Sequence, residues 1–432
     1  MLFNSNDIGI ALICISALLL ISVYVYYPDS SDQDFIRFSI LFLISFYILP
    51  ALICAFQRDF TYLGKRYHEY LGVWLLIGLS LCFFILGFFL KDIIVATKLV
   101  KHSTSIKSGI HLLAPRVDDI SINRAAFLIV FAAIFRIISW HLNPSVQEEY
   151  EIRAGILTGN HLTVLINITT GGIYFAAIFI ADHLRWRYCT LALLFGLMIL
   201  TFWASSGRFN AAVAICIFVI YFFKINISKI TLLAPIFVIM IFPIILSGKF
   251  LIFAIATGIE IPDLSEILQS SINIDSYLNN FGHPMVSLFQ IDALLNLSDF
   301  RWFYDFLQGP LFYFRIFGYD TGPSLSYYNT EAFLGFKSSI IPTGYLAFGY
   351  AQMSYFGVFI MGILYRYLYY MFKNLRYIRL VSSPLLSFYI SILSANTFYI
   401  GEIRTLIMQF FINILILYIC FWFVSRESLL NT

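Results

Sequence analysis

The chain has 432 residues, of which 60% are hydrophobic and only 12% are charged, and its mean hydropathy is +0.85. A soluble domain carries roughly twice that share of charge. The core of a soluble domain could not hold this much apolar surface, so the composition favours a chain with the lipid bilayer as its solvent. The net charge of +3, without a basic tail, also argues against nucleic acid as a partner.

Apolar runs of spanning length recur along the chain and predict an all-α polytopic membrane protein with about eleven transmembrane helices. The runs are 7–27, 36–56, 70–90, 123–142, 162–181, 188–204, 210–223, 230–257, 341–371, 380–400 and 404–424. The first run is too long for a signal-peptide core and has no basic residues before it, so we interpret it as a retained helix. The chain therefore divides into eight helices in 1–257, a loop at 258–340 and three helices in 341–432.

Two of the runs are unusually long. The run 230–257 contains Pro235, Pro243 and Lys249, and the run 341–371 contains Pro342 and several glycines. Proline interrupts helical hydrogen bonding, and non-helical backbone is tolerated at membrane depth only beside protein or water. We therefore expect broken or re-entrant helices in these two runs.

The distribution of lysine and arginine predicts the orientation in the membrane. Fourteen of these residues fall in one set of alternate loops and nine in the other, which is spread over many more residues. The richer set should be cytoplasmic, which places the N-terminus outside and the C-terminus inside. The basic stretch Arg58 to Arg66 argues against this orientation, and one missed helix near 91–121 would reverse the N-terminal part.

Because successive spans alternate in direction, the predicted orientation places the large loop 258–340 outside the cytoplasm, as a structured periplasmic loop. It carries nine acidic residues against three basic ones, and ten of the twenty residues from Phe300 to Tyr319 are aromatic. A segment this rich in aromatic residues should fold into short helices packed on the membrane face.

The aromatic part of this loop has arginines embedded in it, at Arg301 and Arg315, with Tyr304 close by. Aromatic faces stack on sugar rings, and arginine binds phosphate through two parallel hydrogen bonds. The alternative is an interfacial aromatic belt with arginines that extend to the headgroups. Both interpretations stay open at this point.

Two further arginines lie near predicted helix ends. Arg208 belongs to a Ser-Ser-Gly-Arg turn between two apolar runs, where an arginine usually has an anionic partner such as a lipid pyrophosphate, a headgroup or a carboxylate. Arg153 follows a cluster of glutamates and could face an anion or pair with Glu149 four residues earlier.

The loop offers two candidate general bases. His283, in Phe-Gly-His-Pro-Met, is of a residue type that can act as a general base near neutral pH, and Glu331, in Tyr-Tyr-Asn-Thr-Glu, is the competing carboxylate. The sequence contains no phosphate-binding Walker loop and no HExxH zinc motif.

Residues 338–372 resemble a known family. A proline-led start is followed by small and aromatic residues, and the sequence Tyr-Phe-Gly-Val then opens a helix. This pattern is similar to the Wzy-type O-antigen polymerases, in which a comparable stretch follows a large periplasmic loop. The Ser-Ser-Gly-Arg element ending at Arg208, the helix count and the loop placement agree with that family, and the matching elements cover about a third of the chain.

The resemblance implies an enzyme of the bacterial inner membrane that joins oligosaccharide repeat units carried on undecaprenyl pyrophosphate, without a metal or other cofactor. His283 or Glu331 would act as the base, and Arg208 with Arg153, Arg301 or Arg315 would stabilise the departing pyrophosphate. Membrane lipids and a chain-length regulator are the further partners expected. The alternatives are an O-antigen ligase-like enzyme, which uses the same donor, and a transporter or flippase of lipid-linked sugars.

Overall fold

The computed structural model describes residues 4–27, 33–96, 120–141, 161–204, 217–224, 274–306, 323–336, 341–401 and 407–426. Almost all of them are helical. The helices of the first half are α1 (Ser5–Tyr26), α2 (Gln33–Gln57, with a π-helical turn at Ile44–Ile48), α3 (Val73–Ala96), α4 (Ile122–His141), α5 (His161–His183) and α6 (Arg187–Ala204). Those of the second half are α7 (Ile274–Phe281), α8 (His283–Phe289), α9 (Ile291–Ser298), α10 (Leu325–Leu334), α11 (Tyr345–Lys373), α12 (Arg376–Leu380), α13 (Pro384–Ala395), α14 (Thr397–Ile400) and α15 (Ile412–Val424, after a π-helical turn at Ile407–Phe411).

Five of the helices in the described ranges are long and apolar enough to cross a membrane. They are α1, α2, α3, α4 and α11. The helices α6, α13 and α15 are also apolar but have shorter apolar segments, and α5 coincides with the predicted span at 162–181. The class of an all-helical membrane protein is thus confirmed, while the count of eleven spans stays a prediction. The predicted run 230–257 and most of 210–223 lie outside the described residues.

A short β-hairpin between α2 and α3 was not predicted. Its strands are β1 (Asp59–Tyr62) and β2 (Lys65–His68), which pair in antiparallel register. The two residues between them, Leu63 and Gly64, both have positive φ values (48° and 76°), as the tightest hairpin turns require. Arg58 and Arg66, which bound the basic stretch, are both exposed here.

The helices α1 and α3 pack in parallel through glycine. A Cβ atom on Gly9 would lie 2.1 Å from the backbone of Trp74 and Leu75, so only glycine allows this approach. The side chain of Asn6 donates to the carbonyl of Tyr70 (3.2 Å) and accepts from the amide of Gly72 (2.9 Å). These bonds satisfy polar backbone groups at the point where α3 begins.

The longest helix, α11, is broken near its first third. Met353 and Ser354 have non-helical backbone angles, and Ser354 has a φ of 54°. The parts before and after the break double back on each other: a Cβ atom on Gly357 would lie 2.1 Å from the Gly349 carbonyl oxygen, and the Tyr345 hydroxyl donates to the Met361 carbonyl at 3.3 Å. The expectation of a broken or re-entrant helix in 341–371 is confirmed, and we call this element the re-entrant hairpin (345–373).

The start of the re-entrant hairpin is held inside the helical bundle. The Tyr47 hydroxyl, in the π-helical turn of α2, accepts from the Leu346 amide and donates to the Phe398 carbonyl, each at 3.1 Å. Gly344 and Gly401 meet at the same junction, where a Cβ atom on Gly401 would lie 2.0 Å from the Gly344 carbonyl carbon. A π-helical turn inside an α-helix often marks a functional position.

Contacts between chain segments define two sides of the molecule. On the side of the β-hairpin, the amide of Leu63 donates to Asn279 (2.9 Å) and the Tyr70 hydroxyl donates to the Phe289 carbonyl (2.7 Å). We call it the hairpin side. The predicted orientation placed the loop 57–69 and the segment 258–340 on one side, and their contacts agree with that relative placement.

On the opposite side, Ile120 bridges to Ser425 and the amide of Ser382 donates to His183 at 3.0 Å. Arg366 of α11 forms an ion pair there with Asp92 of α3. Each of these segments lies in or next to one of the loops that hold the larger share of lysine and arginine and are predicted to be cytoplasmic. Which compartment each side faces stays a prediction.

Candidate functional site

Residues 299–306 cover the break in the re-entrant hairpin. The amides of Arg301 and Trp302 donate to the carbonyls of Ala351 and Gln352, each at 2.9 Å. A helix leaves its last carbonyls without partners inside the helix, so these two bonds cap the first half of α11. The break lies toward the hairpin side, because the second half of α11 runs from it to the side where Arg366 pairs with Asp92.

A buried ion pair fixes this segment. Arg301 donates to both carboxylate oxygens of Asp305, from Nε at 3.1 Å and from Nη2 at 3.0 Å. Gln352 donates to the same carboxylate at 2.9 Å, and Asp305 is buried. Burial alone lowers the pKa of Arg301, but the adjacent Asp305 carboxylate outweighs burial and the net pKa is raised. Arg301 is therefore a fixed cation, and its two strongest bonds go to Asp305.

Aromatic rings surround the guanidinium of Arg301. Its carbon Cζ lies 5.0 Å from the ring centre of Tyr304 and 5.9 Å from that of Tyr328, within the range of cation–π attraction. Trp302, with 67% of its surface exposed, and Phe300 project beside them, and Tyr304 is exposed as well. Arg301 and Tyr304 thus lie together, an arrangement that fits both interpretations of the sequence.

The backbone of this segment is strained. Asp299, Trp302 and Phe303 have φ values of 54°, 48° and 61°, in the left-handed region that residues with side chains seldom adopt. Each such residue costs on the order of 1–3 kcal/mol and persists only where the surrounding structure enforces it, and such residues cluster at functional sites. The bonds to Ala351, Gln352 and Asp305 supply that enforcement.

Glu331 lies on α10 and is partly exposed. It follows Tyr328 by three residues, so the two side chains share a face of the helix, about 5–6 Å apart at Cβ. The Tyr328 ring is the one that faces Arg301. The structure thus brings Arg301, Tyr304 and the helix face of Glu331 to one region.

His283, which the sequence places in the outer loop near a turn, is buried in a helix. It is the first residue of α8, all of whose residues are buried, and only 3% of its own surface is exposed. The reason is the apolar run that follows it, which draws the whole helix into the bundle beside Gly344. Ser287 of α8 accepts from Asn329 at 3.1 Å, so His283 lies on the side of α10 that carries Asn329.

Two residues that sequence reasoning missed hold the re-entrant hairpin in place. Asn329 donates from Nδ2 to Ser287 and to the carbonyls of Ile341 and Pro342, at 3.1–3.2 Å. Gln352 binds Asp305 from inside an apolar helix. In both cases the sequence offers one indication, a side-chain amide among apolar residues. An amide buried at such a position normally has hydrogen-bond partners.

Three of the proposed pyrophosphate ligands, Arg153, Arg208 and Arg315, lie outside the described residues. Within the ranges that the structure describes, no three His, Cys, Asp or Glu side chains converge as a metal site would require.

Comparison of the chain with models of known protein families, with curated proteins and with solved structures finds no match. Any functional proposal therefore rests on the sequence and on the site described above.

Proposed function

We propose that the chain is a glycosyltransferase of the O-antigen polymerase type. It would join oligosaccharide repeat units carried on undecaprenyl pyrophosphate at the periplasmic face of the bacterial inner membrane. The observation that supports this most is the re-entrant hairpin, whose break is covered by an arginine- and aromatic-rich segment on the side predicted to face the periplasm. The exposed rings and polar side chains gathered there suit the sugar part of such a substrate.

The proposed reaction is a displacement at the anomeric carbon of the donor glycan. A hydroxyl oxygen of the incoming lipid-linked unit attacks this carbon, and its proton passes to a general base. The bond to the pyrophosphate oxygen breaks, and the departing undecaprenyl pyrophosphate keeps the electron pair. Arg208, with Arg153 or Arg315, would stabilise the charge that develops on the leaving group.

Glu331 is the better candidate for the general base. Its side chain is partly exposed and shares a helix face with Tyr328, next to Arg301. His283 is buried, with 3% of its surface exposed, and lies on the flank of α10 that carries Asn329. A base must come within hydrogen-bonding distance of the acceptor hydroxyl, and Glu331 meets this requirement with less rearrangement.

A transporter of lipid-linked sugars is the rival of a different class. It would place charges deep in the spans, lining a cavity that opens alternately to both sides. In the described spans, Arg366 pairs with Asp92 near the end of α3, and Asp182 accepts from Ser383 near the end of α5. Arg136 lies deeper, in α4, and donates to Thr170 of α5 at 3.0 Å. Two of these three charges are engaged near helix ends, which favours the enzyme. A ligase-like enzyme would use the same groups and stays the nearer alternative.

Deletion of the gene separates the three functions. Loss of a polymerase should leave surface lipopolysaccharide with core and a single repeat unit on a gel. Complete loss of repeats would point to the ligase or the flippase, and an unchanged ladder would exclude all three.

Point variants then test the assigned roles in the same assay. Arg208→Ala should abolish long chains at normal protein level, because the leaving group loses its main cation. Glu331→Gln should do the same, while His283→Gln should keep activity if it is only a core residue. Wild-type ladders from Glu331→Gln would remove the carboxylate from the mechanism.

A further inference from the structure

The exposed aromatic side chains at the break of the re-entrant hairpin are presented in a fixed arrangement. Phe300 and Trp302 have ring centres 6.4 Å apart, and Phe300 also contacts Tyr350 at 6.5 Å. The backbone of this turn is strained and held by hydrogen bonds, yet its large rings are exposed. Burial of the rings therefore cannot be what offsets the strain.

We propose that Trp302 and the neighbouring Phe300 form a stacking platform for a sugar ring of the glycan substrate, and that Arg301 positions this platform rather than binding pyrophosphate. This inference rests on the proposed function and deepens it by assigning the sugar-binding surface. Aromatic faces match the apolar faces of sugar rings, and the polar groups beside them bind the hydroxyls. Asp299, exposed next to Phe300, is a suitable acceptor for such hydroxyls.

The bonds of Arg301 support the positioning role. Its Nε and Nη2 atoms are directed at Asp305, and its backbone amide is bonded to Ala351. A guanidinium held this way fixes the path of the chain through the next residue. Trp302 adopts its left-handed conformation at that point, with its own amide bonded to Gln352.

A lipid-interface anchor is the alternative role for exposed aromatic residues. An anchor needs no fixed ring orientation, so it would not require strained backbone at Trp302 and Phe303. It also would not place the acidic Asp299 in the same turn. Phe56, near the hairpin-side end of α2 and 82% exposed, has the character of a simple anchor and provides a matched control.

The test uses full-length protein in lipid nanodiscs and a probe without pyrophosphate. The probe is the oligosaccharide that mild acid releases from the lipid-linked repeat units accumulating in the deletion strain. Calorimetric titration should give binding about tenfold weaker for Trp302→Ala, which corresponds to about 1.4 kcal/mol. Trp302→Phe should retain most of the affinity, because it keeps a ring, and Phe56→Ala should bind as the wild type does.

Arg301→Lys and Asp305→Asn distinguish positioning from pyrophosphate binding. Lysine keeps the charge but lacks the planar fork that holds Asp305, so both variants should weaken binding of the pyrophosphate-free probe about as much as Trp302→Ala. Unchanged binding by Arg301→Lys together with lost polymerisation would overturn the positioning role.

Each negative outcome has its own meaning. The platform would be overturned if the wild type, Trp302→Ala and Phe56→Ala bound the oligosaccharide equally, or if the wild type did not bind it. Either result would do so even where the deletion strain has lost its long chains. A deletion strain with normal long chains would instead overturn the proposed function itself. Thermal unfolding of each variant confirms that a loss of binding does not reflect a loss of folding.

Discussion

Gly357→Ala tests whether the two halves of α11 pack as a re-entrant hairpin. In a plain helix this change should stabilise, by about 1 kcal/mol, because alanine is the better helix former. In the structure, however, the new methyl carbon would lie 2.1 Å from the Gly349 carbonyl oxygen and 3.2 Å from its carbon. Both are backbone atoms, so one half of the hairpin must move.

Overpacking of this kind costs about 1–3 kcal/mol, and more where backbone must shift. The clash therefore outweighs the gain in helix propensity, and the net effect should be destabilising by up to about 2 kcal/mol. Gly171→Ala, in α5, is the matched control, because a Cβ atom there meets nothing within 4 Å. It should be neutral or slightly stabilising.

The assay is thermal unfolding of the purified protein in detergent, with both variants measured at one scan rate. Gly357→Ala should lower the apparent midpoint, by about 2–4 °C per kcal/mol or less in a chain of this size, and Gly171→Ala should not. If Gly357→Ala matched or exceeded the wild type, the two halves would not be in contact, and α11 would be a continuous helix.

Two further predictions concern residues that hold the bundle. Asp92→Asn should destabilise the protein more than Arg366→Met. Asp92→Asn leaves the buried guanidinium of Arg366 (5% exposed) without its carboxylate, whereas Arg366→Met replaces the guanidinium with apolar volume. The reverse order of the two variants in thermal unfolding would contradict the structural role of the ion pair. Tyr47→Phe should cost about 1–3 kcal/mol, because the buried Leu346 amide loses its acceptor. Tyr26→Phe, at an exposed position, should have no effect, and equal midpoints for these two variants would refute the role of the Tyr47 hydroxyl.

Much of the helical framework could be predicted from the sequence, because spanning helices are encoded locally by long apolar runs. The break in α11 was also predictable, since Pro342 and the glycines after it mark the run as irregular. The placement of the loops 57–69 and 258–340 on one side followed from the alternation of the predicted spans, and contacts such as Leu63 with Asn279 agree with it.

The side-chain contacts that the sequence did not predict join residues that are distant in sequence. Gln352 and Asp305 are 47 positions apart, and Asn329 and Ser287 are 42 apart. No local pattern records such pairs. His283 was expected in the outer loop near a turn, and its burial in α8 depends on packing that the flanking glycine and proline do not reveal.

The β-hairpin was missed for a different reason. Its strands have four residues each, which is too short for their alternation to stand out beside the adjacent apolar runs.

The most direct test of the account is polymerisation by the purified protein in nanodiscs, supplied only with the undecaprenyl-pyrophosphate-linked repeat unit. The account predicts lipid-linked products of two or more repeat units, with one undecaprenyl pyrophosphate released for each bond formed. It also predicts that Glu331→Gln forms neither. A wild-type protein that leaves every substrate molecule a single repeat unit, with no undecaprenyl pyrophosphate released, would contradict it.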